Sequence, residues 1–553
     1  MSVSQQLIIN RFGRWAGAIA LGVAMSWSAL TLDARAQEAR LIPAQLGGAG
    51  AVATPTEAEA VRIRQGVEQW LLDYIPPGSP LSEVVYLEGQ VVVEPVGERF
   101  AVTLPDIIVT LAEGLYLPIG VITLSLEPVT PVTYRVALRL PEPLRMVNDE
   151  GSTVGELDLG RQRLRGVFDT RLQSMVDMDY SVTDIALRML PSMVGGVDQG
   201  EQLIDVMNLG SITVAGQMTL DEQLRASGPT VITIEEFEQK DFNGNRLFYI
   251  GRGLVESEVR SFDMVAYNNF GRKFQGLAEA FLPGPDGELP DRNTSDFLLN
   301  TLQVELQALP ALVGDAAMAV TLNNVVGNDP TISTGFSFDQ LIYSIVGRNF
   351  NQDVGRLQIG YEHSGFSVLP EPSGPDVTPR LASFDIEVNN IPNAELWQHI
   401  TGIPKDMSLY GNQPGVNYSV EKLWHALAQA STEIVLNKGY LDSQEMDLRT
   451  TGSALFDNGA DYKMVAAANV RLIGMDEMLN RVAQSSTNDP LGQAIILGLR
   501  TIQSLGEVGD PIGGRSAREY NLEVESNGRV TINRQNISSL LATLLTIPSS
   551  GDQ

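Results

Sequence analysis

From Val84 to Phe237 the chain is a succession of short β-branched runs, among them "VVYLEGQVVVEP", "RFAVTLPDIIVTL", "LPIGVITLSLEP" and "VTYRVALRLPEP", each closed by Gly or Pro. Apolar residues alternating with polar ones at period two, rich in Val, Ile and Thr, specify strands with one face turned inward. The pattern is that of a strand meander. "LGSITVAGQMTLDEQL" and "TVITIEEFEQ" continue it, after a mixed stretch from Asp177 to Leu209 that reads as containing a helix near Gln202 to Met207.

Helical periodicity brackets the meander. Thr54-Pro55 followed by Glu57 resembles a capping box, with Val67, Trp70, Leu71 and Tyr74 as the apolar stripe and Pro76-Pro77-Gly78 as the stop. Two helical patterns fall between Phe270 and Gly314, separated by "PGPDGELPDRNTSD", whose Pro, Gly and charged residues mark a linker over 284–296. Strands resume from Thr331 to Val388, followed by a short helix from Asn393 that ends at Gly402 and another from Tyr418 to Ala430. Further strands follow, with Asp457-Asn458-Gly459 as a hairpin turn. A helix over Met475–Val482 and a longer one opened by Asp489-Pro490 lead to the closing hairpin "EYNLEVESNGRVTINRQNISSLL". That hairpin adds strands to the preceding sheet, and Leu540, Leu541, Leu544 and Leu545 fold back as a small lid.

The expected class is therefore α+β and β-rich, in two lobes of mainly antiparallel curved sheet with packed helices. At 553 residues one core rarely suffices, which favours two lobes, at 37–283 and 297–553. Strands followed by helices and further strands occur in both halves, which is compatible with duplication and equally with a generic α+β arrangement.

Residues 1–36 read as a secretory signal: Arg11 and Arg14 precede an apolar stretch from Trp15 to Leu32, and Ala34-Arg35-Ala36 forms an A-x-A site. The stretch is close to the shortest spanning helix, so an N-terminal inner-membrane anchor is the alternative. Export puts the chain in the periplasm. With no Cys it has no disulfide, thiolate zinc site, thiol nucleophile or lipid acceptor thiol. A formal charge of −29 repels nucleic acid, and 43% hydrophobic residues place the chain among folded proteins.

The three histidines, His363, His399 and His425, share no helical face at zinc spacing. Ser364, next to His363 on a strand, points to the opposite face, His399 suits a helix C-terminus, and His425 follows Glu421 by one helical turn. Ser419 and Lys422 match S-x-x-K by letter but lack the accompanying S-D-N and K-T-G motifs. Asp241, Asn243 and Asn245 open like a calcium loop, but Arg246 and Arg252 stand where Gly and Glu are required, leaving a polar turn. Glu235, Glu236 and Glu238 read as the solvated face of an edge strand. The residues thus supply no catalytic, cofactor-binding or metal-ligating set. With 67 acidic residues, a carboxylate pair brought together by the fold remains the route to a secreted hydrolase.

At "AANVRLIGMDEMLNRV", "LGLRTIQSLGE" and "YNLEVESNGRVTINRQ" the order of elements resembles uncharacterised Gram-negative envelope proteins of the domain-of-unknown-function 2125 type. In that plan a strand ends in Gly before an acidic-Leu helix, here Gly474, Asp476 and Leu479, and a second helix leads to a hairpin, here Asn527 to Asn533. Arg534 replaces the usual closing Gly. The group is similar in style to AsmA-like envelope proteins, whose long curved sheets hold an apolar trough. The resemblance implies an envelope protein that binds an apolar or lipid-like ligand or acts in envelope assembly, with lipid or other envelope proteins as partners.

Overall fold

The computed structural model describes residues 55–74, 84–86, 91–112, 114–190, 204–241, 243–281, 291–329, 333–371, 376–485 and 490–538. Segment 1–36, the Pro76-Pro77-Gly78 stop, most of 284–296 and the leucines from Leu540 onward lie outside them. Strand accounts for 55% and helix for 24%, in a large, mostly antiparallel sheet that is not closed, so the fold is α+β and β-rich. The chain divides into two compact units, Met1–Leu322 and Asn323–Gln553.

In the first unit the helix Glu57–Tyr74 is capped two residues later than its sequence suggested. Thr56 Oγ1 accepts from the Glu59 N–H at 3.2 Å, so Thr56 caps the first turn. Ala60 and Leu71 on this helix pack against Phe100, Val102, Ile122 and Tyr134 of the short strands that follow, while Trp70 stays exposed. A second cluster joins Val109, Leu117, Met146 and Val154 to Ile185, Leu187 and Met189 on the strand Ser174–Met189.

Four strands then run far longer than the meander: Ser174–Met189, Ile204–Gln217, Ala226–Lys240 and Arg246–Phe262. The expected helix near Gln202–Met207 is strand from Ile204 onward. Ile204, Met207 and Leu209 have helix-like spacing only because the register shifts around Val206. A crease crosses all four strands. Thr183 pairs Ser211 and Ile185 pairs Leu209, Ser211 pairs Glu235 and Leu209 pairs Phe237, and Glu235 pairs Arg252 and Phe237 pairs Ile250. The positions between these pairs, Asp184, Gly210, Glu236 and Gly251, therefore form one row. Asp184 and Glu236 have φ of 57° and 55°, the left-handed region. One such residue reverses the parity of side chains, so Val182 and Ile185 face the same core, as do Ile212 and Leu209. The neighbouring strands carry glycine because a Cβ on Gly160 or Gly210 would lie 2.8 Å from Asp184 Cβ or 3.1 Å from Glu236 Cβ.

In the second unit eight strands lie antiparallel side by side: Thr334–Arg348, Val354–Ser364, Leu381–Pro392, Glu433–Asp442, Asp447–Phe456, Met464–Ile473, Arg515–Val524 and Val530–Ile532. The closing hairpin completes this sheet, pairing Arg515–Val524 with Met464–Ile473 on one side and Val530–Ile532 on the other. Two helix pairs interrupt the strand order. Asn393–Tyr410 and Asn412–Gln429 follow the third strand, and Met475–Ser485 and Pro490–Leu505 follow the sixth. The first of these continues past Gly402, with Pro404 inside it. His399 is therefore in mid-helix rather than at a C-terminus. The strand Asp315–Asp329 was not legible from its Ala- and Asn-rich sequence.

Candidate functional site

The register of the second unit sorts its side chains into two contrasting faces. On one, Ile345, Ile359, Ile386, Leu436, Gly452, Ala468, Leu522 and Ile532 stand directly opposite one another from strand to strand, forming one row across all eight. The next row runs Gly347, Leu357, Val388, Ile434, Ala454, Ala466, Val524 and Val530. On the other side of the first row lie Tyr343, Tyr361, Phe384, Gly439, Thr450, Val470 and Tyr520. Alternation alone produces such a face when every strand keeps the same parity. The bulge between Leu436 and Gly439 preserves it by setting two residues, Asn437 and Lys438, opposite the single Thr451, one extra on the fourth strand.

An apolar face normally disappears under a second layer, and here the layer is partial. Both helix pairs reach this face: Trp424 meets Phe456 at 5.0 Å between ring centroids, and the Tyr520 hydroxyl donates to Met475 Sδ at 3.6 Å. Every residue of the isoleucine row nevertheless remains half-buried, and Tyr343 is exposed. A continuous apolar strip left only half-covered is the kind of surface that can take a ligand or partner.

The opposite face is polar and holds a cavity of about 800 Å³. Its central row is Glu362, Ser383, Tyr440, Arg449, Arg471 and Glu519, again opposite one another in register. Arg471 is ion-paired to Glu519, and the Arg449 guanidinium lies 5.5 Å from the centre of the Tyr440 ring. Beside this row stand Thr451, Asn469 and Asn521.

A carboxylate pair is present at one end of the polar face, where Asp442 pairs with Asp447 across a hairpin. Burial pushes the Asp447 carboxyl above its ordinary value, Arg515 opposes this, and Asp442 adds to it. Asp447 is nearly inaccessible and ion-paired to Arg515, and neighbouring Glu445 is buried and paired to Arg481. The Ser443 hydroxyl donates to the Met446 carbonyl at 2.6 Å, closing the turn. These groups fasten the helix Met475–Ser485 and the strand Arg515–Val524 to the hairpin.

The remaining residues singled out in the sequence are structural. His363 is buried, its Nε2 donates to the Pro379 carbonyl at 2.8 Å and its Nδ1 lies 2.9 Å from the Tyr361 hydroxyl. Ser364 faces the other side, as expected. His425 contacts Gln429 and Asn458, each at 2.9 Å, rather than Glu421. Ser419 is fully buried, its hydroxyl donates to Asp406 Oδ2 at 2.8 Å, and Lys422 Nζ reaches the same oxygen at 3.1 Å. This triad clamps Asn393–Tyr410 to Asn412–Gln429, whose backbones approach so closely that a Cβ on Gly415 would lie 2.5 Å from the Asp406 carbonyl. Asp241 Oδ1 accepts from the Asn243 and Asn245 N–H groups at 2.9 and 2.8 Å, the polar turn read from the sequence. Glu235, Glu236 and Glu238 lie on a strand paired on both sides, not on an edge. Glu236 is the left-handed crease residue, and Glu238 is held below its ordinary pKa by Lys240 and Arg246.

Sequence reasoning missed both faces of the second unit, because register across eight strands is not a property of any one of them. Among the described residues no group of three His, Asp or Glu side chains is arranged to hold a metal ion, and no helix is long and apolar enough to cross a membrane. No family model, curated protein or solved structure matches this chain.

Proposed function

We propose that this is a non-enzymatic binding protein of the bacterial envelope, exported to the periplasm by segment 1–36, that carries a lipid-like ligand along the apolar face of its second unit. The half-buried isoleucine row carries the reading. It spans seven interstrand steps, about 33 Å at the usual strand spacing, without a charged side chain in it. An acyl chain laid along it would remove apolar surface of both partners from water, at about 0.8 kcal/mol per methylene buried. The order of elements from Gly474 to Asn533, which resembles that of envelope proteins, supports the same reading.

A charge placed in the row tests it. Leu436→Glu sits on a half-buried position of the fourth strand, where a carboxylate remains hydrated in the free protein but is buried without a partner under an acyl chain. Binding of a fluorescent fatty acid to the parent protein, lost in this variant while its melting curve is kept, is the expected outcome. Equal binding by both proteins would exclude this face as the site.

A further inference from the structure

The cavity is lined mainly from the polar face, with Gly439, Thr450, Val470 and Tyr520 of the tyrosine-containing row also at its wall, and no residue of the isoleucine row borders it. Arg449 and Arg471 are directly opposite one another on adjacent strands. Like charges at that separation oppose pairing of the strands unless something lies between or beside them. Glu519 is ion-paired to Arg471, and Arg471 Nε, shielded from solvent, has no hydrogen-bond partner among the described residues. Among those residues Arg449 has no carboxylate within ion-pair distance, and its guanidinium lies 5.5 Å from the centre of the Tyr440 ring. Arg449 is exposed, so its guanidinium is open to a ligand in the cavity.

The adjoining row adds a second kind of group. Thr451, Asn469 and Asn521 are opposite one another and share a face with the arginines, two residues further along each strand. Among the described residues neither asparagine side chain has a hydrogen-bond partner. A side-chain amide offers both donors and an acceptor, which suits the adjacent hydroxyl groups of a sugar, and a guanidinium suits a planar carboxylate.

The geometry points to a binding site for an acidic saccharide, with its carboxylate on Arg449 and Arg471 and its hydroxyls on Asn469, Asn521 and Thr451. The cavity, at about 800 Å³, is within the usual range for a small-ligand site. The carboxylate replaces the missing counter-charge between the arginines, and the Tyr440 ring offers an apolar surface beside it.

Titration calorimetry on the full chain with trigalacturonate, neutral maltotriose and inorganic phosphate tests this. Trigalacturonate is expected to bind, more weakly as salt is added, and maltotriose is not. Arg449→Gln should weaken trigalacturonate binding by about tenfold or more, the loss of a charge-assisted hydrogen bond, and Arg449→Lys by less. Asn469→Ala should weaken the saccharide without altering any weak phosphate binding. Arg449 is exposed and has no ion pair to lose, so an unchanged melting curve separates lost binding from lost folding. Absence of trigalacturonate binding, equal binding by Arg449→Gln, or phosphate and maltotriose binding as tightly as the acidic saccharide would each overturn the assignment. None of these outcomes bears on the isoleucine row, which does not border the cavity.

Discussion

Asn533 and Asn521 exchange two hydrogen bonds across the closing hairpin: the Asn533 N–H donates to the Asn521 carbonyl at 2.9 Å, and the Asn521 N–H donates to Asn533 Oδ1 at 2.8 Å. The Asn533 amide nitrogen also donates to the carbonyls of Leu505 and Glu519 at 2.9 and 2.8 Å. One buried side chain thus ties the last turn to the sheet and to the end of the helix Pro490–Leu505. Asn533→Ala removes all three side-chain bonds and leaves a partly buried N–H and two carbonyls without these partners. A loss of about 2–3 kcal/mol is expected in urea unfolding. A loss below the error of the measurement would show that the hairpin is not anchored in this way.

The next residue has the opposite character. Asn533 and Arg534 form a two-residue turn between Ile532 and Gln535, with φ of 48° and 67°. Glycine is the preferred second residue of such a turn, and an Arg there bears a steric penalty. Arg534→Gly is expected to stabilise the protein by about 0.5–1 kcal/mol, measured as a higher urea midpoint at unchanged slope. A lower midpoint would mean that the Arg534 side chain makes a stabilising interaction that outweighs its backbone.

Two aspartates give opposite dependences on pH. Hydrogen bonds from Arg518 hold Asp476 below its ordinary value of 3.8, so its stabilisation is present above 3.8 and is lost as pH falls through the folded value. Burial raises Asp447 above 3.8, so the native state holds that proton more tightly than the unfolded chain, and stability falls as pH rises from 3.8 through the folded value. Asp442→Asn removes a neighbouring charge that contributes to the second effect. It is expected to raise the melting temperature near neutral pH and to change it little in acid. Asp476→Asn should lower stability near neutral pH, by no more than about 1 kcal/mol because the pair is partly solvated, and the loss should shrink in acid. Melting curves of the two variants over a pH series check both signs, and a shift in the same direction for both would refute the assignment.

The last lobe was the most legible part of the sequence because its punctuation is local. Asn527-Gly528 turns between Val524 and Val530, and Gly474 has φ of 84° where a Cβ would meet the Glu445 carbonyl at 2.4 Å. The long strands of the first unit were harder to read. At Asp184 and Glu236 the alternation changes phase, so "VTDIAL" and "ITIEEFE" look irregular although each keeps its apolar residues on one face. The apolar rows of the second unit needed the pairing of Leu436 with Gly452 and of Ile386 with Leu436, contacts between residues whose own segments contain no sign of them. Ser419 and Lys422 illustrate the converse. Their spacing was visible, but only the position of Asp406 on the preceding helix makes them a clamp.

The proposed function requires a ligand lying along the half-buried row from Ile345 to Ile532. Native mass spectrometry combined with lipid extraction, on protein purified without detergent from the envelope of its own host, tests this most directly. Phospholipid or another acyl compound at near-stoichiometric amount, absent from the Leu436→Glu variant prepared in the same way, is the result expected. A clean ligand-free mass for the parent protein, with no acyl compound in the extract, would contradict it.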